Sequence, residues 1–181
     1  MAERLTLASR SPQRRAILEQ LGLDFRVEAP DVAELEAGEP RALVEENARR
    51  KARAVAGELV LGVDTAVVLD GRAFGKPHDA AEAESLLRRL SGREHEVLSG
   101  IALRRGGDEQ SDVAVTRVRF RTLTQALLAW YLGGEEWRER AGGYAIQGRG
   151  AALVAGIEGD YWNVVGLPVA ALLALAPDLL G

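Results

Sequence analysis

Residues 59–69, LVLGVDTAVVL, form a nearly continuous apolar run with one carboxylate at the centre. Such a run reads as a strand buried on both faces, which needs covering layers above and below it. The rest of the chain must supply those layers. Asp64 is the anomaly within the strand. A carboxylate taken out of water is costly unless hydrogen bonds, a cation or a metal ion compensate it. Two readings follow. Asp64 either holds a hard divalent cation or takes a proton from water, or it is a structural aspartate bonded to nearby backbone amides.

The flanking sequence supplies the layers. Residues 4–8 alternate as a first strand, and Ser11 with Pro12 suits the start of a helix that Gly22 ends. A short strand is expected over 25–29, then a charged loop from Asp31 to Glu39 and a helix from Pro40 to about Gly57. Asp70-Gly71 signals a hairpin turn after the buried run. A helix over 79–90, strands near 95–104 and 112–121, and a helix over 124–132 follow. The glycine-rich stretch from Gly142 to Gly166 reads as mostly extended, and an apolar helix starts at Pro168. Helices alternate with strands early and hairpins dominate later, which gives an α/β fold with a mixed sheet. At 181 residues without a low-complexity linker, a single domain over 1–181 is expected.

Composition excludes several classes of chemistry. The chain has no cysteine, so thiol nucleophiles, disulfides and zinc–thiolate sites are out. Two histidines are too few for a His-rich metal site. A net charge of -4 argues against binding polymeric nucleic acid through a broad basic face. The N-terminus does not read as a signal peptide, and no stretch approaches the roughly 18 apolar residues of a membrane span, so the default expectation is cytoplasmic with no membrane partner. All but two of the 23 basic residues are arginines. Genome composition explains the arginines. It leaves open whether Lys51 and Lys76 persist by chance or because phosphate needs a compact point charge.

The loop from Ser9 to Arg15 is the second chemical candidate. A helix N-terminus offers free N–H groups and partial positive charge, yet Arg14 and Arg15 sit in its first turn, against the dipole. A bound polyphosphate would resolve that conflict; a solvated, capped surface helix is the bland alternative. Lys51 lies one turn after Asn47 on the same helix face and could equally snorkel to water. Lys76 sits in a Gly-Lys-Pro turn that aims its side chain. Gln147 can read a base edge or satisfy a buried backbone group. His78 is expected at the surface, and His95 in a strand without a catalytic role.

Seven segments, LASRSPQRRAIL, NARRKA, GVDTAVVLDG, GKP, LSGREHEV, AGGYAIQGRG and GDYWNVVGLP, occur in an order and spacing that resembles the Maf family of nucleotide pyrophosphatases over nearly the whole chain. The resemblance implies a central twisted mixed sheet with flanking helices and two lobes around a substrate cleft. It implies hydrolysis of a nucleoside triphosphate between the α and β phosphates, dependent on a divalent cation, magnesium or manganese. By position, Asp64 matches the catalytic aspartate and a metal ligand, and Glu34 falls near an acidic position that assists the metal. Lys51 and Lys76 match phosphate-contacting lysines, and Ser9 and Arg14 belong to the phosphate loop. Thr65 and Gln147 fall at positions tied to substrate choice. The segment from Tyr144 to Gly148 looks like the subfamily that prefers dTTP and UTP. That subfamily's loop usually reads Ser-Pro-Arg-Arg, whereas here Gln13 replaces the first arginine, which puts the preferred base in doubt. Ser99 stands where a threonine is common, and Arg50 replaces a frequent glutamate. Activity on 7-methyl-GTP, ITP or XTP, and a non-catalytic nucleotide-binding role in cell division, stay open, as does a homodimer.

Overall fold

The computed structural model describes residues 4–181. In chain order the elements are β1 (Leu5–Ala8), α1 (Pro12–Gln20), β2 (Phe25–Glu28), α2 (Pro40–Arg53), β3 (Leu59–Leu69), β4 (Arg72–Phe74), α3 (Ala80–Leu90), β5 (Glu94–Arg105), β6 (Asp108–Phe120), α4 (Gln125–Leu132), β7 (Val154–Glu158), α5 (Tyr161–Val165) and α6 (Val169–Leu175). The strands form one seven-stranded sheet in the order β2-β1-β3-β5-β6-β7, with β4 also paired to β3. β1 runs parallel to both β2 and β3, and the β3, β5, β6 and β7 pairings are antiparallel, so the sheet is mixed. Among the described residues no helix is long and apolar enough to cross a membrane.

Local chemistry sets the element ends. Ser11 caps α1, Asp79 caps α3 and Thr124 caps α4, each side chain accepting from a backbone N–H three residues on. Asp70 and Gly71 turn β3 into β4 with positive φ at both positions (51° and 73°), as a tight two-residue hairpin requires. Three expectations need correction. The second helix ends at Arg53 rather than Gly57, because the chain there drops against the sheet: a side chain on Gly57 would meet Thr6 Oγ1 at 2.9 Å. The strand expected from 112 begins at Asp108, since the Gly106-Gly107 turn is tight enough to keep the hairpin paired to its end. The stretch from Gly142 to Gly166 is not mostly extended. It holds 3-10 turns at Ala141–Gly143 and Gly148–Ala152, then β7 and α5, all too short to impress a period on the sequence.

β3 presents its residues alternately to two layers. On one face Val60, Ala66 and Val68 meet α2 through Val44, Ala48 and Ala52. On the other face two separate apolar clusters form. Leu59, Leu61 and Val63 pack with α1 and α6, while Val67 and Leu69 pack with α3 and α4. Between these clusters, on the same face, lie the hydroxyls of Thr65 and Ser99. The two expected lobes are these two clusters, joined by the long strands β3 and β5.

The α2 contact is a backbone contact. A Cβ on Gly62 would lie 2.1 Å from the Ala48 carbonyl oxygen, and one on Gly100 would lie 2.1 Å from the Val44 carbonyl oxygen. Both glycines are required because no side chain fits between helix and sheet. Gly100→Ala is therefore expected to lower unfolding free energy by about 3 kcal/mol in urea titration, the upper range for overpacking, while Gly107→Ala, with nothing within 4 Å, changes it by less than about 0.5 kcal/mol.

His95 lies in the α3/α4 lobe, 3% exposed, with Nε2 2.8 Å from Tyr144 Oη and its ring edge-on to Phe120. Burial pushes its pKa from 6.5 down to about 4. The unfolded chain therefore binds the proton more readily, so this contribution is fully present above pH 6.5 and is lost as pH falls through 4. Between pH 7 and pH 4 the wild type should lose about 3 kcal/mol more stability than His95→Gln, measured by chemical denaturation at each pH.

Candidate active site

Asp64 sits where one edge of β3 is bare. β1 pairs with Leu59 to Gly62 and β4 pairs with Val67 to Leu69 on that edge, while β5 pairs along the opposite edge throughout. Residues 63–66 thus border a gap in the sheet. β1 ends at the gap with Ala8 beside Gly62, and the loop Ser9–Ser11 leads directly into the N-terminus of α1.

Asp64 faces α2. Its Oδ1 accepts from Lys51 Nζ at 2.7 Å and its Oδ2 accepts from Asn47 Nδ2 at 3.1 Å. Its cross-strand neighbour is Gly100, so the same glycine that admits the helix leaves the space above the carboxylate to α2. Lys51 does not snorkel to water. It is 6% exposed and also reaches Glu34 Oε1 at 3.1 Å. Asn47, 2% exposed, accepts from Leu35 N at 2.7 Å and donates to Leu35 O at 3.0 Å. One amide thus fastens the Glu34 loop and orients Asp64. The sequence placed Asn47 on the face of Lys51 but gave no sign that it binds both.

Thr65 faces the other way. Its hydroxyl lies 2.8 Å from Ser99 Oγ and accepts from Arg14 Nη2 at 3.1 Å. Arg14, 9% exposed, donates through Nη1 to Ser9 Oγ at 3.2 Å and through Nε to the Gly166 carbonyl at 2.9 Å. Burial draws its pKa down, and the charges of Asp64 and Glu34 oppose that shift. The conflict between Arg14 and the α1 dipole is met by these acceptors and carboxylates, whereas Arg15 turns to solvent and pairs with Glu19 at 2.8 Å. Gln13 folds back on the cap, its Oε1 accepting from Ser11 Oγ at 3.0 Å.

Lys76 and Gln147 stand apart from this cluster. Lys76 Nζ bonds Glu139 at 2.8 Å in an exposed pair, and the exposed Gln147 side chain makes no hydrogen bond among the described residues. Both belong to one unit: Gly142 N donates to the Gly75 carbonyl at 2.9 Å, and Glu136 accepts from Arg149 N and Gly150 N just beyond Gln147. His78 is exposed and His95 lies in a strand, β5, as expected from sequence; that His95 is buried in the core is a further finding.

The donor set suits a hard divalent cation only in part. Asp64 and Glu34 converge on one ammonium, but among the described residues no group of three or more histidine, cysteine or acidic side chains could hold a metal. Two carboxylate donors with the remaining ligands from phosphate and water match magnesium's usual mode at phosphate sites.

The sequence model of a family described as Maf-like protein matches residues 4–179. A dTTP/UTP pyrophosphatase of Symbiobacterium thermophilum is 51% identical over 173 residues, covering 92% of this chain and 89% of that protein. Proteins of the same name from Thermus thermophilus and Pyrococcus furiosus are 48% and 40% identical, covering 94% and 96% of this chain and 92% and 94% of their own. A solved structure, "The structure of the Staphylococcus aureus Ham1 protein", overlaps 65% of this chain and 72% of its own at 20% identity and a TM-score of 0.48. Matched along nearly its whole length, and with relatives this similar, the chain belongs to the Maf family.

Proposed function

We propose that this protein is a metal-dependent nucleoside triphosphate pyrophosphatase that converts dTTP and UTP to the monophosphate and pyrophosphate. The observation that carries this reading is Asp64, a carboxylate held by Lys51 and Asn47 at a gap in the sheet, beside a helix N-terminus with a buried arginine. The name shared by the similar proteins supports the nucleotide class.

In this reading the polyphosphate lies along the gap. The Gln13 N–H left over at the start of α1, with Arg14 and Lys51, neutralises its charge, which is the main lever in phosphoryl chemistry. Asp64 has lone pairs to spare after accepting from Lys51 and Asn47, and takes a proton from the attacking water. The water oxygen bonds to phosphorus, the bridging bond between the α and β phosphates breaks, and pyrophosphate leaves with the electron pair. A divalent cation held by Asp64 and Glu34 supplies charge neutralisation at the phosphate oxygens when bound. Lys76 exchanges Glu139 for phosphate, which an exposed pair permits at little cost. Gln147, with its amide uncommitted, reads the base edge, and Thr65 and Gln13 line the approach from the α1 side.

Pyrophosphate release from a panel of dTTP, UTP, modified pyrimidine triphosphates, ITP, XTP and 7-methyl-GTP tests this directly. Turnover of dTTP and UTP with magnesium or manganese, abolished by EDTA, is expected. Turnover of ITP or XTP alone, or tight nucleotide binding without pyrophosphate release, would overturn the reading. Asp64→Asn should lower kcat by about 10²–10⁴-fold, the usual contribution of a general base, with an unchanged circular dichroism spectrum. Near-normal turnover in that variant would remove Asp64 from the role.

A further inference from the structure

We propose that Asn163 is a positioning residue for Arg14, acting through the short helix α5, whose C-cap carbonyl at Gly166 grips the guanidinium. The inference rests on the reading of the site given above but adds a residue outside it. Asn163 is 0% exposed, on the face of the sheet that carries Thr65 and Ser99. Its Nδ2 donates to the Val97 carbonyl on β5 and to Thr116 Oγ1 on β6, both at 3.0 Å. Thr116, also 0% exposed, donates its hydroxyl to the Asp160 carbonyl at 3.0 Å, and Asp160 caps α5 by accepting from Trp162 N at 2.8 Å. A circuit of buried and part-buried hydrogen bonds thus fixes both the N-cap and the middle of α5 to two central strands.

The other end of α5 carries the consequence. Gly166 closes the helix with φ 135°, its N–H donating to the Trp162 carbonyl at 3.0 Å. Its own carbonyl is thereby turned outward to accept from Arg14 Nε at 2.9 Å. A five-residue helix has little rigidity of its own, so the aim of that carbonyl depends on what anchors the helix. Arg14 is a rigid planar fork, and fixing Nε sets the plane in which its terminal nitrogens reach Ser9 and Thr65. The amide of Asn163 cannot be reversed, because Oδ1 would then oppose the Val97 carbonyl. Oδ1 itself has no hydrogen-bond partner among the described residues, which argues that the side chain is placed for its two donors rather than for full satisfaction.

Two measurements separate positioning from plain stabilisation. The first is the proton exchange rate of Arg14 Nε–H by NMR in the nucleotide-free protein, with the signal assigned by its loss in Arg14→Lys. Asn163→Ala and Thr116→Val should each accelerate exchange by about tenfold or more, and Thr116→Ser should restore the wild-type rate. The second is kcat/KM for dTTP in each variant and in the same variant combined with Arg14→Lys. Asn163→Ala is expected to lower it about tenfold in the wild-type background and less than about twofold beside Arg14→Lys, the signature of coupled residues. Losses that carry over undiminished into the Arg14→Lys background, or Nε–H exchange unchanged in both variants, would overturn the proposal. Should Asn163→Ala fail to fold, the Thr116 pair decides the question. Absence of pyrophosphate release by the wild type would refute the proposed function, while the exchange measurement would still decide this inference.

Discussion

The backbone of α2 lies directly on the sheet, and the site follows from that contact. With no side chain at Gly62 or Gly100, the helix comes close enough for Lys51 and Asn47 to meet Asp64 rather than pass above it. A carboxylate and an ammonium both largely removed from water need close, well-directed contacts to be tolerated. The distances of 2.7 Å and 3.1 Å to Asp64 supply them before any nucleotide arrives. Removing Lys51 would leave two carboxylates, Asp64 and Glu34, without their shared ammonium, so this lysine is also a constraint on the fold. The Glu34 loop is drawn in by the same two residues, which makes one helix face responsible for both carboxylates.

The sheet contributes by what it omits. β3 is long enough to serve both apolar lobes, yet β1 and β4 together do not cover its outer edge. The four residues left between them border a gap in the sheet. The two parts of the site therefore rest on different supports. Asp64 lies within the long β3–β5 ladder and Arg14 in a capped helix, whereas Lys76 and Gln147 sit outside strands and helices with exposed side chains.

Much of this was legible in the sequence because it followed from strong local signals. The apolar run with one carboxylate announced both the central strand and its exceptional residue. The Ser-Pro start of α1 and the Asp-Gly turn each fixed an element end through one known geometry. What was not legible arose from distance in the chain. Nothing local told whether Lys51 reaches water or Asp64, because that depends on two glycines whose only role is to be small beneath the helix. Gly166 aims its carbonyl at a residue 152 positions away. The segment after Gly142 misled because its 3-10 turns and five-residue elements are held by side chains elsewhere, such as Glu136 and Thr116, and not by their own periodicity.

Asp64 and Thr65 are adjacent in the chain and border one gap in the sheet, yet the pleat sends them to opposite layers. The partners of Asp64 come from α2, while α1 furnishes Arg14 to Thr65 and the C-terminal segment holds that arginine through Gly166. The two halves share no side chain among their direct hydrogen bonds. Such a division lets mutation explore one layer without dismantling the other. Gln13 falls on the α1 side, where it bonds Ser11, so a lineage can change that residue while every contact of Asp64 stays as it was.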